Sequence, residues 1–163
     1  ESRPAMTHAA LALPFDADEI LSRLMRWAAC ESPTFDAAAV NRMMDLASRD
    51  LALLGAHIDR IPGRMGLGDC VRGRFPHPAG DGAPGILVMA HLDTVHPIGT
   101  LEKLPIRREG NRCYGPGILD MKGGTVLAVE AMRQFIAAQH RQVIGGQVDG
   151  SQACKPRRRG RGS

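Results

Sequence analysis

The 163 residues are 44% hydrophobic and 23% charged, the balance of a folded water-borne domain, and no apolar stretch is long enough to span a bilayer. The formal charge of +4 divides unevenly: residues 1–140 hold fifteen basic against sixteen acidic side chains, whereas residues 141–163 hold six against one. The basic character belongs to the tail and is no footprint for nucleic acid on the folded part.

Residues 1–15 read as an extended N-terminal segment. Their apolar run is cut by Pro14 and lacks the basic-then-apolar plan of a secretory signal, so the expectation is a cytoplasmic protein. Asp16-Ala17-Asp18-Glu19 opens a helix, with its carboxylates at the positive end of the dipole. Ile20, Leu24, Trp27 and Ala28 then recur at helical spacing, and Pro33 lies beyond the end. A second helix starts near Asp36, carries Val40, Met43, Met44, Ala47, Leu51 and Leu54 on one face, and stops at Gly55. Methionines at that spacing are core packing. Short strands follow at His57–Ile61 and Asp69–Phe75, then a loop rich in Pro and Gly over residues 76–85. Gly85–Ala90 is apolar without alternation, the pattern of a strand covered on both faces. Leu104–Arg108 and Arg112–Tyr114 form a hairpin around Glu109-Gly110-Asn111. A last helix begins at Asp120 and places Thr125, Ala128, Val129, Met132, Phe135 and Ile136 on one face. Periodicity ends near His140, and residues 141–163 read as a basic tail, disordered or out of frame. The expected fold is α/β: a three-layer sandwich with a mixed, largely parallel sheet between helices.

Cys30, Cys70, Cys113 and Cys154 are widely spaced with no C-x-x-C, which points to reduced thiols rather than a zinc knuckle or a disulfide framework. Ser32 and Thr34 lie outside any nucleophile-elbow pattern, so covalent catalysis has no basis in the sequence.

The oily run ends in His91 and Asp93, two residues apart and therefore on one side of an extended chain. Ligands in open α/β folds sit beyond the carboxyl ends of strands. An imidazole there suits a metal, and a carboxylate on its other ring nitrogen would fix the tautomer. A surface pair or a loop cap reads the same spacing without a metal. His96 is at most pocket lining. Asp120 could simply cap the last helix. Yet Gly115, Gly117, Gly123 and Gly124 surround it, and such density implies close backbone approach. A phosphate loop is disfavoured, because Lys122 precedes the glycines instead of following them.

Taken together, MAHLDTVHPIGTLEKLPIRREGNRCYGPGILDMKGGT resembles the first metal-binding region of the dizinc metallopeptidase family. That family includes glutamate carboxypeptidase, aminoacylase, acetylornithine deacetylase and succinyl-diaminopimelate desuccinylase. The carrying motifs are H-x-D-T-V from His91 and Y-G-x-G-x-x-D-x-K-G-G from Tyr114. The segment GTLEKLPIRREGNRCYGPG leans to the glutamate carboxypeptidase branch, and CESPTFD after the first helix also looks like the family. The resemblance implies that residues 16–140 are the N-terminal part of a zinc-hydrolase catalytic domain. His91 would ligate one zinc, Asp93 would orient His91 and serve catalysis, and Asp120 would bridge two zinc ions, which cobalt can replace. A cis peptide between Asp120 and Met121 is also implied. The implied reaction is hydrolysis of an amide, in a peptide ending in glutamate or in an N-acyl amino acid, by a metal-activated water.

The family's later Glu-Glu pair, acidic ligand, final His and dimerisation domain have no counterpart here, since after Glu130 the only acidic residue is Asp149. The expectation is therefore a truncated chain, inactive alone, whose relatives are homodimers. The change near Arg141 reads as a frame shift or truncation. The competing readings are a non-catalytic interaction domain and a nucleic-acid binder using the Arg157–Arg159 block. No aromatics interleave those arginines, so neither nucleic acid nor membrane is the expected partner.

Overall fold

The computed structural model describes residues 15–77, 80 and 84–147, the last nine of them by backbone alone. Helix α1 (Ala17–Ala28) is capped by Asp16, whose Oδ1 accepts from the backbone N–H groups of Asp18 and Glu19 at 2.9 and 3.1 Å. Helix α2 (Ala37–Leu53) begins in the same way, with Ala39 N–H donating to Asp36 Oδ1 at 2.9 Å. Each cap satisfies donors that a helix start leaves without intrahelical partners. Both helices turn their apolar faces inward. Trp27, Met43 and Ala47 join Leu92, Val126 and Val129 in one buried cluster, with Ile20, Leu24 and Met44 packed around it.

Strands β1 (His57–Ile61) and β2 (Cys70–Arg74) pair antiparallel, His57 opposite Arg74 and Ile61 opposite Cys70. Arg72 and Arg74 both donate to Asp59 across the pair, at 3.0 and 3.1 Å. A one-turn helix α3 (Thr100–Lys103) precedes the hairpin of β3 (Arg107–Glu109) and β4 (Arg112–Tyr114). An irregular turn, Ile118–Lys122, then leads into helix α4 (Gly123–Gln147). That helix runs past the expected boundary at residue 140. The remainder of the tail, residues 148–163, and most of the N-terminal segment lie outside the described residues.

The clear difference from expectation is the run before His91. Ile86, Leu87, Val88 and Met89 are 95, 81, 52 and 80% exposed, and among the described residues no strand pairs with them. The apolar pattern asks for cover on both faces, and the described residues supply none. Among the described residues parallel pairing is limited to a single bridge between Pro33 and Thr94. The two sheets present are two-stranded and antiparallel, so no layered parallel sheet forms among the described residues. Burial resumes at Leu92, which is 7% exposed and pins the end of the run to the core. Alternation along the extended chain then sends its neighbours His91 and Asp93 outward together.

Candidate metal centre

Hydrogen bonds fix residues 92–94 against the segment that follows α1. Ser32 Oγ donates to the Leu92 carbonyl at 2.7 Å, and Thr94 N–H donates to the Ser32 carbonyl at 2.8 Å. Thr34 N–H donates to the Thr94 carbonyl at 3.0 Å, and Thr34 Oγ1 to Asp93 Oδ2 at 2.6 Å. Ser32 is fully buried, so the clamp is an interior one.

Asp120 reaches the same place from the turn before α4. Its Oδ1 lies 2.9 Å from His91 Nε2, although 29 residues separate the two. Asp120 has φ −126° and ψ 95°, outside helical values, and its carboxylate faces His91. Helix α4 begins only at Gly123, and the side-chain bond of Asp120 goes to His91 rather than to a helix N–H as in Asp16 and Asp36. Two glycines make the turn possible. Gly117 sits at φ +69°, and a Cβ there would stand 2.5 Å from Thr94 Cγ2. At Gly123 a Cβ would stand 2.6 Å from the Ile118 carbonyl oxygen. The glycine density thus reflects close approach of chain to chain. The Asp120–Met121 peptide is cis, as the resemblance implied.

On the other side of the imidazole, His91 Nδ1 is 3.1 Å from the Asp93 carbonyl oxygen and 3.4 Å from Asp93 Oδ1. The ring is therefore held between two carboxylates. The Asp120 hydrogen bond raises the His91 pKa above its ordinary value; partial burial opposes this, and the Asp93 carbonyl and both carboxylate charges add to it. The three expected residues line a cleft of about 210 Å³, together with His96, Thr34 and Gly117.

Two neighbours carry signals that residue-type reasoning passed over. Lys122 is 1% exposed and donates from Nζ to the Cys30 carbonyl at 2.7 Å. Burial lowers its pKa to about 8, against the pull of Cys30, Glu31 and Asp93. Glu31 accepts from the N–H groups of Gly99 and Leu101 at 2.8 and 3.0 Å, and these bonds hold its pKa below the usual range. It thereby ties α3 to the end of α1. The polar string Glu31-Ser32-Pro33-Thr34 was the available clue.

The donor set can be tested against a metal. Zinc ligands at 2.0–2.2 Å in tetrahedral array stand roughly 3.3–3.5 Å apart. His91 Nε2 and Asp120 Oδ1, at 2.9 Å, are within a small side-chain adjustment of that spacing. Asp93 lies on the Nδ1 side and suits support of the ring rather than ligation. Among the described residues no group of three or more His, Cys, Asp or Glu is gathered for a metal. The chemistry fits two ligands of one centre.

A cleft at the end of an extended run thus brings an imidazole and a carboxylate face to face, on a framework of helices and small antiparallel sheets. The comparisons make it particular. Residues 87–145 match the model of Peptidase family M20/M25/M40. Carboxypeptidase G2 of Pseudomonas sp. (strain RS-16) is 31% identical over 115 residues, which are 70% of this chain and 27% of that protein. Succinyl-diaminopimelate desuccinylase of Xylella fastidiosa (strain M12) is 40% identical over 65 residues, 36% of this chain and 17% of that protein. Human carnosine dipeptidase 1 superposes with a TM-score of 0.61 at 23% identity, covering 75% of this chain and 29% of that one. The matched segment, which carries His91, Asp93 and Asp120, is similar to the M20 peptidases, and the chain spans between 17 and 29% of the length of these relatives.

Proposed function

We propose that this chain contributes part of the metal centre of a hydrolase that cleaves an amide bond, in a peptide ending in glutamate or an N-acyl amino acid. The observation that carries the reading is the 2.9 Å approach of His91 Nε2 to Asp120 Oδ1 from two distant segments. His91 would hold one zinc ion and Asp120 would bridge to a second, with cobalt as a substitute. A divalent ion held by these residues would supply a water acidic enough to be hydroxide near neutrality and would polarise the scissile carbonyl. Asp93 would accept a hydrogen bond from His91 Nδ1–H, through its carbonyl with Oδ1 close by, which leaves the Nε2 lone pair free for a metal. Leu92 keeps both outward side chains in register by anchoring their backbone.

Among the described residues no glutamate lines the cleft to serve as base for the water. Glu130 is the only glutamate after Asp120, and it is buried among arginines. Absence of a general base lowers such a rate by about 10²–10⁴, so the chain by itself is proposed to turn over negligibly. We further propose that Gly85–Ala90 is the central strand of a layered, largely parallel sheet when its cover is present. The setting proposed is cytoplasmic, in keeping with the unpaired thiols of Cys30, Cys70 and Cys113. Among the described residues no helix is long and apolar enough to cross a membrane.

The test is titration of the purified chain with zinc or cobalt, alongside His91→Ala and Asp120→Ala. Binding that is lost in both variants is the expected result. Binding unchanged in both would remove the proposed centre. Hydrolysis of N-acyl amino acids that depends on both residues would overturn the expectation of inactivity.

A further inference from the structure

We infer that Thr34 is a positioning residue for the site, acting on His91 through the Asp93 carboxylate. This inference deepens the metal-centre reading and rests on it. Asp93 has two oxygens with different duties. Oδ2 takes the Thr34 hydroxyl at 2.6 Å, and Oδ1 stands 3.4 Å from His91 Nδ1, where it adds to the Asp93 carbonyl oxygen at 3.1 Å. A carboxylate free to turn about its last torsion would present either oxygen to the ring, or neither. The Thr34 hydroxyl removes that freedom.

Thr34 is itself well placed to do this. Its N–H donates to the Thr94 carbonyl at 3.0 Å, in the bridge that binds residues 32–34 to 92–94. Oγ1 is also 3.2 Å from that carbonyl, a longer contact than the one to Asp93. The backbone on both sides of the Thr34–Asp93 bond is thus tied down, and Ser32 and Leu92 fix the level below. The hydroxyl is the single side-chain link from the α1–α2 connection to the carboxylate behind His91.

The consequence concerns the tautomer. Asp120 draws an imidazole proton toward Nε2, whereas Asp93 draws it toward Nδ1. A metal ligand at Nε2 needs the proton on Nδ1. By holding Asp93 in place, Thr34 biases the ring toward the form that can ligate.

The test uses the full chain with ¹⁵N-labelled histidine, metal-free and at one fixed pH, with the His91 signals assigned by their loss in His91→Gln. Long-range ¹H–¹⁵N spectra report which nitrogen carries the proton. In Thr34→Val, which keeps the shape but not the hydroxyl, the population moves toward protonated Nε2. In Thr34→Ser it stays as in the parent chain. Zinc affinity falls about 10-fold in the valine variant, the lower end for loss of an outer hydrogen-bond partner, and recovers in the serine variant. A valine variant with the parental tautomer ratio overturns the inference, and so does a serine variant that behaves like valine. Should the valine variant lose its helical circular dichroism, the serine variant decides alone: a parental ratio supports the inference, and a changed ratio overturns it. Failure of zinc to perturb the parental His91 signals would sink the metal-centre reading and leave the tautomer result standing.

Discussion

Glu130 is 1% exposed and yet ionised. Arg133 and Gln134 donate to its carboxylate from the next turn of α4, and Arg23 reaches it from α1 at 3.1 Å. Arg133 is the main reason its pKa falls to about 2, with Gln134 and Arg23 adding to the effect against burial. The sign of the pH effect follows. The unfolded carboxyl takes its proton near the ordinary value of 4.5, the folded one only near 2. Stability from this group is therefore complete above about pH 4.5 and is lost as the pH falls toward 2. Urea midpoints measured across that window should drop in the parent chain and flatten in Glu130→Gln. At neutral pH the same substitution should cost about 2–3 kcal/mol, below the figure for a sealed pair because both guanidiniums reach solvent. A midpoint unchanged within error would mean that the network is ornamental.

At the level of elements, what could be read was what local chemistry decides. Helices α1 and α2 start at the acidic caps that announced them, and Asp16→Ala should lower the melting midpoint by an amount equivalent to about 1 kcal/mol. The β3–β4 hairpin turns at Gly110-Asn111, within the expected stretch, while Glu109 belongs to β3 and pairs with Arg112. Helix α3 went unread because its start is satisfied from far away, by the Glu31 carboxylate 68 and 70 residues back. The site divides along the same line. His91 and Asp93 share a side because residues two apart in an extended chain must, and this was legible. That Asp120 would meet them could be reached only through the resemblance, since no periodicity spans 29 residues. The Thr34–Asp93 bond, across 59 residues, had no local signature at all. Gly85–Ala90 was legible as an extended apolar run, but its burial depends on partners that the described residues do not include.

For the whole molecule that bare run is the main liability. It has six uncharged residues, no proline, and unpaired backbone groups along it among the described residues, which together make a template for pairing with another copy. Light scattering on the isolated chain should show association that grows with concentration, and Val88→Lys should suppress it while leaving the helical signal intact. Association undiminished in that variant would place the contact elsewhere. The anchor at Leu92 has a separate consequence for how this gene can vary. Because residues 92–94 are clamped to 32–34 and alternate in facing, gaining one aliphatic codon between His91 and Leu92 would exchange inside for outside just ahead of the clamp. The imidazole would be driven against Trp27 and Met43, and an aliphatic side chain would look into the cleft. Such length changes should be tolerated far less than any single replacement in the same stretch.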